Sequence, residues 1–246
     1  MIAAMPYVPA GLAAGALIAF IFRVMPPAWL LDYGEADLDA ARRARDSLTF
    51  FPGILFLVLA DGLLFGAGRL LLGSGPYLPV VLYLVQPLLL IIVADLKTRI
   101  IPDQFILALL PGGVLLWVID SIRGEAAWGL GILTRLLAAL LAGLVLFGSG
   151  WLGAKLMKRE AMGMGDVKLL ASCAFITGLK LLPFLFCLAF LTAALVAIPV
   201  LVSRLWRRDA GQEIAFGPYI SLATLLLLLA REPILGLWQA YLGLLA

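Results

Sequence analysis

The chain has no histidine among its 246 residues. That absence removes the usual base of serine and cysteine hydrolases and the imidazole ligands of an HExxH metal site. Cysteine is almost as scarce. Cys173 and Cys187 lie in apolar segments, form no CxxC pair for zinc or redox work, and are expected to be buried small apolar residues. Charge is thin as well: Asp, Glu, Lys and Arg make up 13% of the chain and the net charge is +3, against about 25% charged residues in a soluble domain. The basic residues gather in short loops and form no face that could track phosphates, so no nucleic-acid partner is expected.

What fills the chain is apolar, with 64% hydrophobic residues and a mean hydropathy of +1.10. This is the composition of an all-α polytopic membrane protein. A spanning helix needs about 20 mainly apolar residues, and eight such segments are expected: Val8 to Val24, Leu48 to Leu71, Leu78 to Asp95, Gln104 to Ile119, Leu130 to Leu152, Asp166 to Thr177, Leu181 to Val202 and Ile214 to Leu229. The stretch Pro233 to Ala246, with Trp238 and Tyr241 at its centre, is too short for an ordinary span and is expected to lie at the interface. The first segment has neither a basic leader nor an A-x-A-like cleavage site and is expected to be retained.

Orientation follows from the bias of Lys and Arg toward cytoplasmic loops. Arg42, Arg43 and Arg45, then Lys97 and Arg99, then Lys155, Lys158 and Arg159, then Arg204, Arg207 and Arg208 follow the odd-numbered segments, whereas the opposite side holds Arg69, Arg123, Lys180 and Arg231. The odd loops are therefore expected in the cytoplasm and the N-terminus outside. In the loop of residues 25–49, the run Glu35, Asp37, Asp39, Arg42, Arg43, Arg45, Asp46 predicts a short solvated helix.

Against this background, two aspartates at the ends of apolar segments draw attention. Asp95 closes the third segment and Asp166 opens the sixth, within Gly163-Met164-Gly165-Asp166. A carboxylate at membrane depth costs about 3 kcal/mol unless it meets water or a partner, so each is a candidate functional residue. Two crossings separate them, which returns both to one face. Facing each other across a wet cleft, they could share a proton, as in an aspartic protease: one carboxylate takes a proton from water while the protonated one stabilises the oxyanion. Gly163 and Gly165 would let a substrate backbone approach, and a helix N-terminus favours the Asp166 anion. A plain structural role fits the same residues, with Asp166 as a helix cap, Asp95 as a polar helix end, and Ile101-Pro102 as the start of the next helix. Asp61 and Arg135 are expected to face the bundle, paired with each other or lining a path. Lys168, two residues after Asp166, does not share its helix face and is expected to point outward or to the interface.

The stretch Asp95-Leu96-Lys97-Thr98-Arg99-Ile100-Ile101-Pro102-Asp103, with Gly163-Met164-Gly165-Asp166-Val167-Lys168-Leu169 and Phe216-Gly217-Pro218-Tyr219, resembles the type IV prepilin peptidases, a family of GxGD membrane aspartyl proteases. The resemblance covers most of the chain from the third segment onward. It implies that Asp95 and Asp166 are the catalytic pair and that Gly163, Gly165, Lys97, Arg99, Pro102, Lys168, Phe216, Gly217 and Pro218 shape the site or bind substrate. It further implies removal of a short basic leader from prepilins or pseudopilins after a glycine, at the cytoplasmic face of the bacterial inner membrane, with no metal. The whole chain, 1–246, then reads as one membrane-embedded peptidase domain. Larger members carry a cytoplasmic module with two CxxC zinc pairs, which the Cys-free loop 25–49 replaces, and methylate the new N-terminus with S-adenosylmethionine; that second activity is in question without the module. Presenilin-like proteases share the GxGD aspartate but add a Tyr-Asp pair and a Pro-Ala-Leu motif, both absent here. From another class, a proton-coupled transporter would hold paired acids near the midplane and show repeated halves. Prepilin helices and membrane lipid are the expected partners, and oligomeric state is left open.

Overall fold

A computed structural model describes residues 5–31, 37–157, 163–207 and 215–245. Lys158, Arg159 and Arg208 of the expected basic loops, Glu35 of the charged run and Ile214 at the expected start of the eighth segment lie outside these residues. The described residues form helices and no strand: α1 (Tyr7–Val24), α2 (Leu38–Asp46), α3 (Leu55–Leu72), α4 (Tyr77–Thr98), α5 (Asp103–Ile122), α6 (Trp128–Met157), α7 (Met164–Thr177), α8 (Leu182–Arg207), α9 (Gly217–Leu229) and α10 (Arg231–Leu245). With every backbone polar group unable to find water in hydrocarbon, helices are what such a composition can build. The chain is a polytopic all-α membrane protein.

Each expected segment is helical, and the sixth, the shortest expected, is short in the structure as well. Six helices among the described residues are long and apolar enough to cross a membrane, and the bent pair α9–α10 would make a seventh. Helix α7 has 14 residues and α9 has 13, or about 20 Å each at 1.5 Å per residue, short of a hydrocarbon core of about 30 Å. Gly178, at φ +80°, ends α7 in a conformation that a side chain disfavours. Helix α9 stops at Ala230, and α10 turns away by 80°, so the terminal stretch expected at the interface is a separate helix that begins at Arg231. Helix α3 starts later than expected because Phe51, forced toward extended backbone by Pro52, has φ −120° and ψ 132°.

Helix α4 is apolar on all sides and sits at the centre, with Leu84, Val85, Leu88 and Ile91 fully buried against α5 and α9. Helices α7 and α9 complete the interior through Leu169, Cys173, Ala174, Ile220 and Ala223. The outer faces of α6 and α8 expose Leu133, Leu140, Leu144, Leu191 and Leu195, as lipid-facing surfaces do. Cys173 is buried as expected, whereas Cys187 is exposed on α8; an apolar segment at the edge of a bundle turns half its residues outward. Helix α1 lies tight on α3, where a Cβ on Gly11 would come 2.7 Å from the Asp61 carbonyl oxygen and one on Gly15 would come 2.7 Å from the Val58 Cα. The predicted solvated helix in 25–49 is α2, capped by the Asp37 side chain, which accepts from the Ala40 amide at 2.9 Å.

Candidate active site

The turn from α4 to α5 sets one end of the bundle. Arg99 takes a left-handed conformation, φ 59°, and its amide donates to the Asp95 carbonyl at 2.9 Å, closing α4. Pro102, extended, then starts α5. Asp95 therefore lies in the last turn of α4, beside the first turn of α5. Helix α7 starts at the same end. Gly163 is its N-cap, so Asp166, third in the helix, is not a cap, and it comes to the same end of the bundle as Asp95.

Both carboxylates line one open cavity of about 260 Å³. Gly163, Gly165, Arg99, Pro102 and Lys168 share its wall, as do Ile101, Asp103 and Met164. Asp95 is 3% exposed, and its Oδ2 has no hydrogen-bond partner among the described residues. Gly217, at the start of α9, lies against this oxygen so closely that a Cβ there would stand 2.6 Å from it. An unpartnered buried carboxylate oxygen is costly to fold around and is the kind of exception that functional sites carry. Lys168 does not pair with Asp166; its Nζ donates to both oxygens of Asp103 at 2.9 Å, tying α7 to α5 at the cavity rim.

Other expected site residues fall outside the cavity wall. Lys97 points away and donates to the Ser47 carbonyl at 3.2 Å, holding the 25–49 segment to α4. Phe216 packs its ring on Phe190 of α8, centroids 5.3 Å apart. Gly217 lies against Asp95, and Pro218 follows it, buried, at the start of α9. Sequence reasoning missed the other side of the cavity, made by Ala28, Trp29 and Leu31 from the connection after α1. No periodicity marks a loop residue that folds back over a site. It also assigned no role to Asp103, although the motif contains it.

Asp61 and Arg135 both face the bundle interior as expected, but of the alternatives offered for them, pairing with each other does not occur. Asp61, fully buried in α3, accepts from Gln86 Nε2 of α4 at 3.2 Å. Arg135 lies at the opposite end of the bundle, where it donates to Asp120 at 2.6 Å and to the Phe175 and Ile176 carbonyls at 2.9 and 2.6 Å. The two residues sit in different layers, a separation that segment counting cannot see.

A model of the type IV leader peptidase family matches residues 82–198, which include both aspartates. The chain is similar to that family over this stretch, just under half of its length. The prepilin leader peptidase/N-methyltransferase of Aeromonas hydrophila is 32% identical over 140 residues, covering 57% of this chain and 45% of the relative. Its counterpart in Stutzerimonas stutzeri is 30% identical over 167 residues, 67% of this chain and 54% of the relative. The chain thus spans about half the length of these curated relatives of the leader peptidase family. No solved structure matches it.

Proposed function

We infer that this protein is a membrane aspartyl endopeptidase that removes the basic leader of type IV prepilins or pseudopilins. The convergence of Asp95 and Asp166 from separate helices on one open cavity carries the reading. In the proposed reaction, one ionised carboxylate takes a proton from water as the water oxygen bonds to the scissile carbonyl carbon. The other, protonated, donates to the carbonyl oxygen, and collapse of the tetrahedral intermediate breaks the C–N bond, with the amine leaving protonated. No metal takes part. The active end would face the cytoplasm of a bacterial inner membrane, with the N-terminus outside and α7 and α9 completing eight crossings. There a substrate helix lies in lipid beside the enzyme while its basic leader reaches the anionic surface. The acids stand in the end turns of α4 and α7, which does not fit the midplane acids of a proton-coupled transporter.

The test compares the purified protein in lipid with Asp95→Asn and Asp166→Asn on a prepilin substrate. Cleavage should fall at least 1,000-fold in each variant, on the order of losses for essential catalytic groups. Persistence of leader removal in either variant would sink the two-aspartate mechanism. S-adenosylmethionine enters this reading only as donor for a second step. The mass of the mature N-terminus, with or without an added methyl group, reads that step directly.

A further inference from the structure

The connection between α1 and α2 does more than link two helices. Pro27–Leu30 form a short 3-10 turn, held by the buried side chains of Met25 and Leu30. Arg45 Nη1 donates to the Met25 carbonyl at 3.1 Å, and Arg23 donates to the Leu48 carbonyl at 3.2 Å, so the residues leading into the turn are tied to α2 and to Leu48 just after it. It carries Trp29 to the cavity that holds Asp95 and Asp166. One side of the indole is braced edge-on by Phe105, centroids 6.2 Å apart and planes at 82°. Phe105 is buried in the first turn of α5, three residues after Pro102 of the cavity wall. The ring is half-buried and lines the opening, with Leu31 and Ile101 as apolar companions.

We propose that Trp29 is a substrate-positioning residue, its indole forming a subsite for the apolar side chain that opens the substrate's membrane helix beside the scissile bond. The inference rests on the peptidase reading for its substrate. The chemistry of the wall selects the ligand: an aromatic face flanked by aliphatic side chains favours an apolar group by burial and ring contact. The carboxylates stand across the same cavity, so a side chain seated on Trp29 would fix the neighbouring peptide bond in front of them, where small displacements cost much of the rate.

Two measurements keep the subsite and the peptidase reading apart. The first is binding, with Asp95→Asn/Asp166→Asn protein in nanodiscs and a fluorescent peptide of basic leader plus apolar helix. Trp29→Ala should weaken binding about tenfold and Trp29→Phe less than threefold. Replacing the first apolar residue of the peptide by Ser should weaken binding to the Trp29 form but not to the Trp29→Ala form. The second is turnover by protein with both aspartates intact, where Trp29→Ala should raise KM and also lower kcat, as loss of a positioning contact does. Binding that ignores Trp29, or that follows the number of leader charges and not the apolar residue, overturns the proposal. Dependence on Trp29 without any cleavage by the unaltered protein would keep the subsite and remove the peptidase reading. Recovery of binding in Trp29→Phe separates loss of the subsite from loss of the fold.

Discussion

Three glycines near the paired carboxylates are not equivalent, and their differences are measurable. A Cβ at Gly163 would sit 3.7 Å from Asp166 Oδ2, an ordinary contact, and one at Gly165 would sit 3.3 Å from the Ile101 Cβ, a tight one. At Gly217 the added atom would lie 2.6 Å from Asp95 Oδ2 and 2.8 Å from Ile101 Cδ1. Both neighbours are buried, so Gly217→Ala must move the carboxylate or the start of α9. A shift of about 1 Å at a reacting group costs about 100-fold in rate. Leader cleavage by Gly217→Ala should therefore fall by about that factor while the variant remains folded by thermal unfolding in detergent. Packing alone gives the order Gly163→Ala, Gly165→Ala, Gly217→Ala from mildest to most severe. If the first two instead raise KM more than Gly217→Ala does, they serve close approach of the substrate backbone. The sequence drew attention to Gly163 and Gly165 because they flank an aspartate. Gly217 came only through the family motif, since its neighbour Asp95 is 122 positions away (217 − 95).

At the scale of helices, small residues do for α1 and α3 what a hydrophobic drive would do in water. Gly11 and Gly15 on α1 and Gly62 and Gly66 on α3 repeat at four-residue spacing, so the two backbones approach closely. A Cβ at Gly11 would meet the Asp61 carbonyl oxygen at 2.7 Å and the Gly62 Cα at 2.8 Å, and backbone cannot swing aside as a side-chain tip can. Gly11→Ala should destabilise the protein by about 1 to 3 kcal/mol, seen as a lower thermal midpoint in detergent. Gly148→Ala, where nothing lies within 4 Å, should be neutral and serves as the control. Hydropathy located α1 and the end of α3 to within a residue, because a long apolar run is a local property of the chain, but not the start of α3, which the extended Phe51 before Pro52 delays. It gave α7 its place and its shortness, and α9 its end at Leu229, but not the 80° turn into α10, since the break at Ala230 is a single-residue event. Trp29 and Asp120 escaped notice for a different reason: each gains its role from partners that the fold supplies.

Across the whole molecule, the two ends of the bundle divide the polar residues between them. One end holds the open cavity with Asp95, which is buried against the start of α9. The other holds Asp120, which accepts from Arg135 at 2.6 Å, from Arg231 at 2.9 and 3.3 Å, and from the Tyr77 hydroxyl. Through these contacts one carboxylate joins the ends of α4, α5, α6 and α10, while Arg135 also holds the last carbonyls of α7. Helix C-termini favour a cation in that position. Removing one partner of a buried pair leaves the other charge uncompensated, at a cost of about 3 kcal/mol or more. Asp120→Asn leaves Arg231 with Glu125 alone and the buried Arg135 without a carboxylate, so its thermal midpoint should drop further than that of Arg231→Gln, whose side chain is partly exposed. Because this cluster lies a full helix length from the cavity, Asp120→Asn protein that remains folded should cleave with nearly unchanged kcat and KM. A variant that kept its stability but lost turnover would instead couple the two ends, and the bundle would have to transmit that change through α5 and α7.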